Sequence, residues 1–202
     1  PRHPPGERRS VRVDMEYIIN APAAREELAM LRAGDRVLLS GLVYTARDAA
    51  HKRLAELLAR GEEPPFPLEN CAIYYVGPTP ERPGQIIGSA GPTTSGRMDA
   101  YSPALLARGE TIMIGKGGRS EAVTDAMRRS GAVYLAAMGG AGALMAACIR
   151  SVRTVCWEEL GCEAVRELQV RDMPLTVAID SLGGNIYDLG PAAYLASLKG
   201  GR

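Results

Sequence analysis

Short apolar runs alternate with amphipathic segments along the chain, and this alternation predicts a layered α/β domain. The clearest helix pattern spans 46–61, where Ala50, Leu54 and Leu58 recur at helical spacing ahead of Gly61. The predicted strands are 11–18, 35–46, 69–78, 84–92, 110–117, 132–140, 152–157 and 174–180, the other predicted helices are 23–34, 98–107, 120–131 and 141–151, and 163–170 is predicted as a short turn or helix.

One domain over residues 11–202 is expected, because no internal repeat and no linker divides that stretch. Residues 1–10 contain three Pro and three Arg, which predicts a flexible or partner-binding arm. The tail from Pro191 is expected to form a short helix or to dock on a partner.

The charge balance excludes some classes of partner. The 24 Lys and Arg residues are matched by 23 Asp and Glu residues, so no overall field favours nucleic acid or a membrane surface. No apolar run approaches the roughly 20 residues of a membrane span, and the first residues lack the apolar core of a signal peptide. We therefore expect a cytoplasmic protein with a small ligand.

The four cysteines do not have the spacing of a metal or redox motif. Cys71, Cys148, Cys156 and Cys162 lie in apolar or mixed surroundings without a C-x-x-C pair, which favours buried, reduced thiols. A cluster held by the last three is the weaker alternative, because Cys148 falls in a helix-like run rather than in a Gly- and Pro-rich loop. The chain alone is expected to hold no metal.

Polar residues collect in three loops that follow predicted strands, where α/β folds usually bind ligands. The first carries Arg47, His51 and Lys52 about one helical turn apart, so their side chains are expected to share a face. The second, residues 91–99 (GPTTSGRMD), is rich in hydroxyl groups and is called the threonine loop. In the third, Lys116 lies among glycines just ahead of a predicted helix, whose free amides favour an anion. Together they predict a cationic, hydroxyl-rich pocket.

Each of these residues has an alternative interpretation. Arg47 and Asp48 could form a solvated pair at a helix start, and His51 could be a surface or internally bonded histidine. Asp99 is more typical of a residue that orients an arginine or caps a helix than of one that titrates. The glycines around Lys116 lack the spacing of a phosphate-binding loop, which argues against a nucleotide there.

The stretch 133–159 has features of a dinucleotide-binding unit. It contains a predicted strand, glycines that open a helix, a second strand and two acidic residues, Glu158 and Glu159. The third glycine of that motif is replaced by Met145, and the small residues are equally explained by tight helix packing. An NAD-binding oxidoreductase domain and a non-catalytic binding module therefore remain alternatives.

A resemblance to a known family rests on four segments: SGLVYTARDAAHKR, YYVGPTPERPGQIIGSAGPTTSGRMDAYSP, MIGKGGRSEA and GAVYLAAMGGAGAL. Over about residues 11–190 the chain closely resembles the β-type subunit of the iron–sulfur hydro-lyases, which are the class I fumarases and L-tartrate dehydratases. The resemblance implies a single swivelling β/β/α domain. It also implies a hetero-oligomer in which a second polypeptide or domain, the α-type partner, carries a [4Fe–4S] cluster on three cysteines.

The same resemblance implies roles for the loop residues. Thr93, the first threonine of GPTTSG, would be the base that takes the proton alpha to a carboxylate, and Thr94 would bind a carboxylate. A dicarboxylate substrate needs at least two fixed cations, which Arg47, Arg97 and Lys116 would supply. Asp48, His51 and Asp99 would lie behind the groups that touch the substrate, and the open iron of the partner would act on the departing hydroxyl.

The substrate implied first is fumarate, hydrated reversibly to malate, and the alternative is the L(+)-tartrate dehydratase reaction. The two substrates differ by one hydroxyl group. No residue of the sequence identifies which one is bound.

Overall fold

The computed structural model describes residues 15–138 and 140–199, and in them strands and helices form a layered α/β domain. The strands are β1 (Glu16–Ala21), β2 (Arg36–Thr45), β3 (Ala72–Tyr74), β4 (Ile112–Gly115), β5 (Val133–Ala136), β6 (Ile149–Cys156) and β7 (Val165–Ile179). The α-helices are α1 (Arg25–Leu28), α2 (Asp48–Ala59), α3 (Ser102–Ala107), α4 (Glu121–Ser130), α5 (Gly142–Ala147) and α6 (Ile186–Lys199), and short 3₁₀ helices lie at Ser95–Met98 and Glu158–Glu163.

The sheet combines a parallel half with one long antiparallel strand. β1 to β5 pair in parallel in the order of the chain, so their carboxyl ends lie at one edge. β7 runs antiparallel to β2, β5 and β6. Because β7 pairs with both β2 and β5, the ladders β2–β3–β4–β5–β7 lead back to β2 and the strands close on themselves.

Alternate residues of the parallel strands enter two apolar clusters, as the strand period of two requires. Tyr74 and Ile112 point into a cluster that also contains residues of β1, β6 and β7. Ile73 and Met113 point into the other cluster, which contains the apolar faces of α2, α3 and α4. The three helices therefore cover one side of the parallel strands and leave the carboxyl ends of these strands open for a site.

The two best-marked helices form where the sequence predicts them. α4 follows Ser120 and ends at Gly131, whose left-handed backbone (φ 75°) suits glycine. α2 follows Arg47 and buries Ala50, His51 and Leu54 against the sheet.

Other predictions of local structure were wrong. Residues 163–170 lie mostly in strand β7 rather than in a turn or helix. Residues 84–92 form no strand, because Ser89 exchanges hydrogen bonds with Thr79 inside the loop instead of with a neighbouring strand. The predicted helix 98–107 is interrupted, and only α3 is α-helical.

The dinucleotide-type unit does not form. β6 pairs with β7 in an antiparallel ladder, whereas a dinucleotide-binding unit places both of its strands in one parallel sheet. The chain direction of β6 therefore removes the basis of the NAD-binding alternative.

The predictions for the two ends of the chain have different outcomes. The predicted arm at 1–10 lies outside the described residues, and the predicted tail helix begins earlier than expected, since α6 already starts at Ile186. Within 15–138 and 140–199, no helix combines the length and apolar character needed to span a bilayer.

Candidate active site

The carboxyl ends of three parallel strands bring the predicted loops together. β2 leads to Arg47, which precedes α2, β3 leads to Tyr75, and β4 leads to Lys116. The threonine loop lies between them: the backbone N–H of Thr93 donates to the carbonyl of Tyr75 (2.7 Å), and that of Ser95 donates to the carbonyl of Lys116 (2.9 Å). Thr94 and Lys116 are partners in an isolated parallel bridge. The loop is therefore held by backbone hydrogen bonds on both sides.

Two glycines allow these segments to approach closely. A Cβ at Gly77 would lie 2.9 Å from Cδ of Arg47, and a Cβ at Gly115 would meet the Ser95 side chain. Ser95 is fully buried, and its Oγ is 2.9 Å from the hydroxyl of Tyr134. Any larger residue at these two positions would push the Arg47 side chain or the threonine loop out of place.

Arg97 combines an ion pair with a half-exposed side chain. Its Nε donates to Oδ1 of Asp48 at 2.8 Å, and about half of its side chain is exposed (51%). The ion pair joins the threonine loop to the start of α2. Because the contact uses Nε, the edge formed by the two terminal nitrogens keeps N–H donors for a ligand, and a guanidinium can bind both oxygens of a carboxylate with them.

Arg47 is more deeply placed and has two acidic neighbours. Its Nη2 lies 3.6 Å from Oε1 of Glu163, and its Nε lies 3.9 Å from Oδ2 of Asp48. The other oxygen of Glu163 accepts a hydrogen bond from the N–H of Ala49 (2.9 Å) in the first turn of α2. Nε of Arg47 is buried without a hydrogen-bond partner. Glu163, which no sequence pattern indicated, thus holds Arg47 against the helix.

The remaining site residues differ in their exposure. Thr93 is half-buried, whereas Thr94 and Lys116 are exposed. Arg47, Thr93, Thr94, Arg97 and Lys116 thus lie on the loops that this strand edge brings together.

His51 lies beneath the site. The predicted shared face of His51 and Lys52 is wrong. Its side chain is fully buried, with Nδ1 3.1 Å from the carbonyl of Arg47 and its ring edge-on to Tyr75. Lys52 is exposed and pairs with Glu56. Burial, helped by the nearby charge of Arg119, lowers the pKa of His51 to about 4, so the imidazole is neutral near pH 7.

Asp99 orients a buried arginine, which is one of the two uses that its sequence context predicts. Its Oδ1 accepts a hydrogen bond from Nε of Arg119 (2.7 Å), and its Oδ2 accepts one from the N–H of Ser120 (2.6 Å), just before α4. The amide of Ser120 is therefore already bonded to Asp99. Arg119 could not be predicted from the sequence, because no local pattern distinguishes a buried arginine after two glycines from an exposed one.

A fully buried acid, Glu110, lies at the opposite end of β4 from the site. It is fully buried and neither carboxyl oxygen has a hydrogen-bond partner. Burial raises its pKa to about 8, and the charge of Arg119 only partly opposes that shift.

The shifted pKa values of Glu110 and His51 predict a particular pH dependence of stability. The folded form of Glu110 holds its proton up to about pH 8 whereas the ordinary pKa is 4.5, so its contribution to the unfolding free energy falls as pH rises through that window. The low pKa of His51 acts oppositely, but only between about 4 and 6.5. From pH 6.5 to 8 we expect the unfolding free energy to fall by about 2 kcal/mol.

Urea unfolding at pH 6.5 and pH 8 checks this expectation. Glu110→Gln should remove most of the fall, whereas Glu81→Gln, at an exposed position, should leave it unchanged. An equal fall in the Glu110→Gln protein would show that another group titrates.

The cysteines are free, but they are less uniformly buried than predicted. Cys71 and Cys148 are buried, Cys156 is half-buried and Cys162 is exposed at the surface. Within residues 15–138 and 140–199, no group of three His, Cys, Asp or Glu side chains is arranged to hold a metal ion. The described residues thus do not fit an iron–sulfur cluster.

Comparisons with known proteins agree with the resemblance noted in the sequence. Residues 2–190 match the model of the family described as Fumarase C-terminus. The chain is 37% identical over 207 residues to the aerobic class I fumarate hydratase of Salmonella typhimurium and 38% identical over 180 residues to fumarate hydratase 2 of Leishmania major. These matches cover 97% and 88% of the chain but only 35% and 31% of the two fumarate hydratases.

A shorter relative matches over nearly its whole length. The chain is 39% identical over 180 residues to a Methanocaldococcus jannaschii protein named as subunit beta of L(+)-tartrate dehydratase, and the match covers 86% of the chain and 92% of that protein. Fumarate hydratases are hydro-lyases, so the named relatives share one reaction type. With a family model that matches nearly all of its length, the chain belongs to the Fumarase C-terminus family.

Proposed function

We propose that this chain is the β-type part of a two-part iron–sulfur hydro-lyase that hydrates fumarate reversibly to malate. The observation that carries the proposal is the meeting of the threonine loop, Arg47 and Lys116 at one strand edge. Several cations beside a half-buried hydroxyl suit a dianionic substrate whose carbon must lose a proton.

In this proposal the arginines hold the substrate by its carboxylates. Arg97 uses its two terminal nitrogens, because its Nε is engaged with Asp48. Arg47 approaches from the start of α2, where Glu163 fixes its position. Lys116 and Thr94, whose backbones pair in the isolated bridge, bind the remaining carboxylate oxygens. With both carboxylates held, the proton-bearing carbon would be fixed relative to the base.

Thr93 is the proposed base in the direction of dehydration. Its alkoxide accepts the proton alpha to a carboxylate and becomes a hydroxyl, the electron pair of that C–H bond forms the double bond, and hydroxide departs from the neighbouring carbon. An aliphatic hydroxyl is a weak base, so the mechanism requires nearby positive charge to stabilise its alkoxide. Lys116, paired with the adjacent Thr94, and Arg97 on the same loop supply that charge.

The group that assists the departing hydroxide is assigned to a partner. The described residues of this chain do not fit a cluster, so the proposal places the [4Fe–4S] group on an α-type polypeptide or domain and derives no step through it. The exposure of Thr94, Arg97 and Lys116 agrees with a surface that such a partner covers. The domain would then be of the swivelling β/β/α type, with α2 to α4 as its helical layer.

A specific observation favours the L(+)-tartrate dehydratase reaction as the second candidate. The relative that carries that name matches over 92% of its own length, whereas the fumarate hydratases extend well beyond the matched region. Substrate profiling of the assembled enzyme separates the two. The first proposal predicts that kcat/KM for fumarate and malate exceeds that for L-tartrate at least about 10²-fold, since a site matched to one hydroxyl pattern discriminates against the other. A reversed ratio would assign the chain to tartrate.

A further inference from the structure

Beneath the threonine loop lies a buried cation that the proposed chemistry does not use. The Arg119 side chain has no exposed surface, and it lies between the loop, α3 and the start of α4. Its Nε donates to Asp99 (2.7 Å) and its Nη2 donates to Oγ of Ser102 (2.7 Å). Its guanidinium carbon lies 5.3 Å from the ring centroids of both Tyr75 and Tyr134. A buried charge costs free energy unless it is this well partnered.

Each partner of Arg119 also holds one part of the site. The carbonyl of Tyr75 accepts the N–H of Thr93, so the position of Tyr75 sets the position of the proposed base. Tyr134 lies within hydrogen-bond distance of Ser95 and donates its hydroxyl to the carbonyl of Gly117, which links the threonine loop to the Lys116 loop.

The other two partners fix the 3₁₀ helix that carries Arg97. Asp99 immediately follows this helix and is tied to α4 through the N–H of Ser120. Ser102 donates its hydroxyl to the carbonyl of Met98, the last residue of the helix (3.0 Å). The chain on the carboxyl side of Arg97 is therefore bonded to Arg119 at two points.

We infer that Arg119 is a positioning residue of the proposed hydro-lyase: acting through Asp99, Ser102, Tyr75 and Tyr134, it sets the geometry of Arg97 and Thr93. The inference rests on the function proposed above. It assigns Arg119 no contact with the substrate, because its side chain is fully buried. A shift of about 1 Å in a substrate-holding group can lower a rate about 10²-fold, so a residue that holds Arg97 and Thr93 in place affects the rate.

Steady-state kinetics of fumarate hydration by the assembled enzyme test the inference with two substitutions. Arg119→Met removes the charge and all its hydrogen bonds, and we expect KM to rise at least about tenfold, because Arg97 is displaced, and kcat to fall at least about tenfold, because Thr93 is displaced. Arg119→Lys can keep the pair with Asp99, but its single nitrogen cannot also replace the two bonds that the guanidinium donates to Oγ of Ser102 (2.7 Å) and to the hydroxyl of Tyr75 (3.3 Å), so intermediate values are expected. Arg129→Lys, at an exposed position of α4, the helix that follows Arg119, is the matched control.

The separate changes in KM and kcat distinguish positioning from a role in folding alone. Loss of folded protein lowers the apparent kcat and leaves KM unchanged, whereas a displaced arginine raises KM. If Arg119→Met yields no folded enzyme, Arg119→Lys and Asp99→Asn decide, and both should raise KM at least about threefold. Wild-type KM in the folded variants would overturn the inference, even if their melting temperatures fall.

If the Arg119 and Asp99 variants keep wild-type kinetics, the Thr93→Val variant shows which claim has failed. Where Thr93→Val abolishes turnover but the Arg119 and Asp99 variants match Arg129→Lys, the positioning inference is wrong and the proposed function stands. Where Thr93→Val leaves turnover intact, the assigned base itself is wrong.

Discussion

Thr93→Val is expected to lower kcat for malate dehydration at least about 10²-fold, because valine keeps the shape of threonine and removes only the hydroxyl that is proposed to take the proton. The backbone hydrogen bond from Thr93 to the carbonyl of Tyr75 does not involve the side chain, so the loop should keep its conformation. Folding and assembly should therefore be preserved, which circular dichroism and gel filtration can verify.

Thr94→Val is the matched control for the Thr93 substitution. Thr94 is next along the loop, is exposed, and is proposed to bind a carboxylate rather than to move a proton. Its replacement should mainly raise KM. If the Thr93→Val enzyme keeps more than about a tenth of the wild-type kcat, less than about 1.4 kcal/mol is at stake and another group is the base.

Arg97→Lys is expected to lower kcat/KM at least about 10²-fold, equivalent to about 2.7 kcal/mol of transition-state stabilisation. Lysine keeps the charge but has a single nitrogen, which cannot bond to Asp48 and to two oxygens of a substrate carboxylate in the geometry of the guanidinium. The fork toward the substrate would be lost even where the ammonium keeps a pair with Asp48.

The control for Arg97 is Arg60→Lys, because Arg60 is also an exposed arginine paired with an acid, Glu62, at the end of α2. Surface pairs of this kind contribute little to stability, so its kinetics should equal those of the wild type. Wild-type kcat/KM in the Arg97→Lys enzyme would exclude the proposed carboxylate contact.

The helices that could be predicted are those whose buried residues recur at helical spacing within one short segment. α2 and α4 each place apolar residues at helical spacing and end near a glycine with a left-handed backbone, Gly61 and Gly131. Strand β7 could not be predicted in its first half. Val165 and Leu168 are both buried, but they point to opposite faces of the strand and enter different apolar clusters, so their spacing of three residues looks like that of a helix.

The site could be predicted as far as its residues share a loop with a recognisable composition. Arg97 and the two threonines were found in this way. Glu163 and Arg119 were not, because their importance arises from contacts with Arg47 and Asp99, which are distant in sequence. The predicted shared face of His51 and Lys52 was wrong, because helical spacing alone does not indicate which side of α2 is covered by the sheet.

Iron content and fumarate hydration, measured together under anaerobic conditions, test the central claim that this chain supplies one part of a shared active site. The measurement is made on the purified chain, on its cluster-bearing partner and on their mixture. We predict a folded, colourless and inactive chain, and a brown mixture that hydrates fumarate and loses activity in air, as expected of a solvent-accessible iron. Stoichiometric iron and full turnover in this chain without any partner would contradict the account.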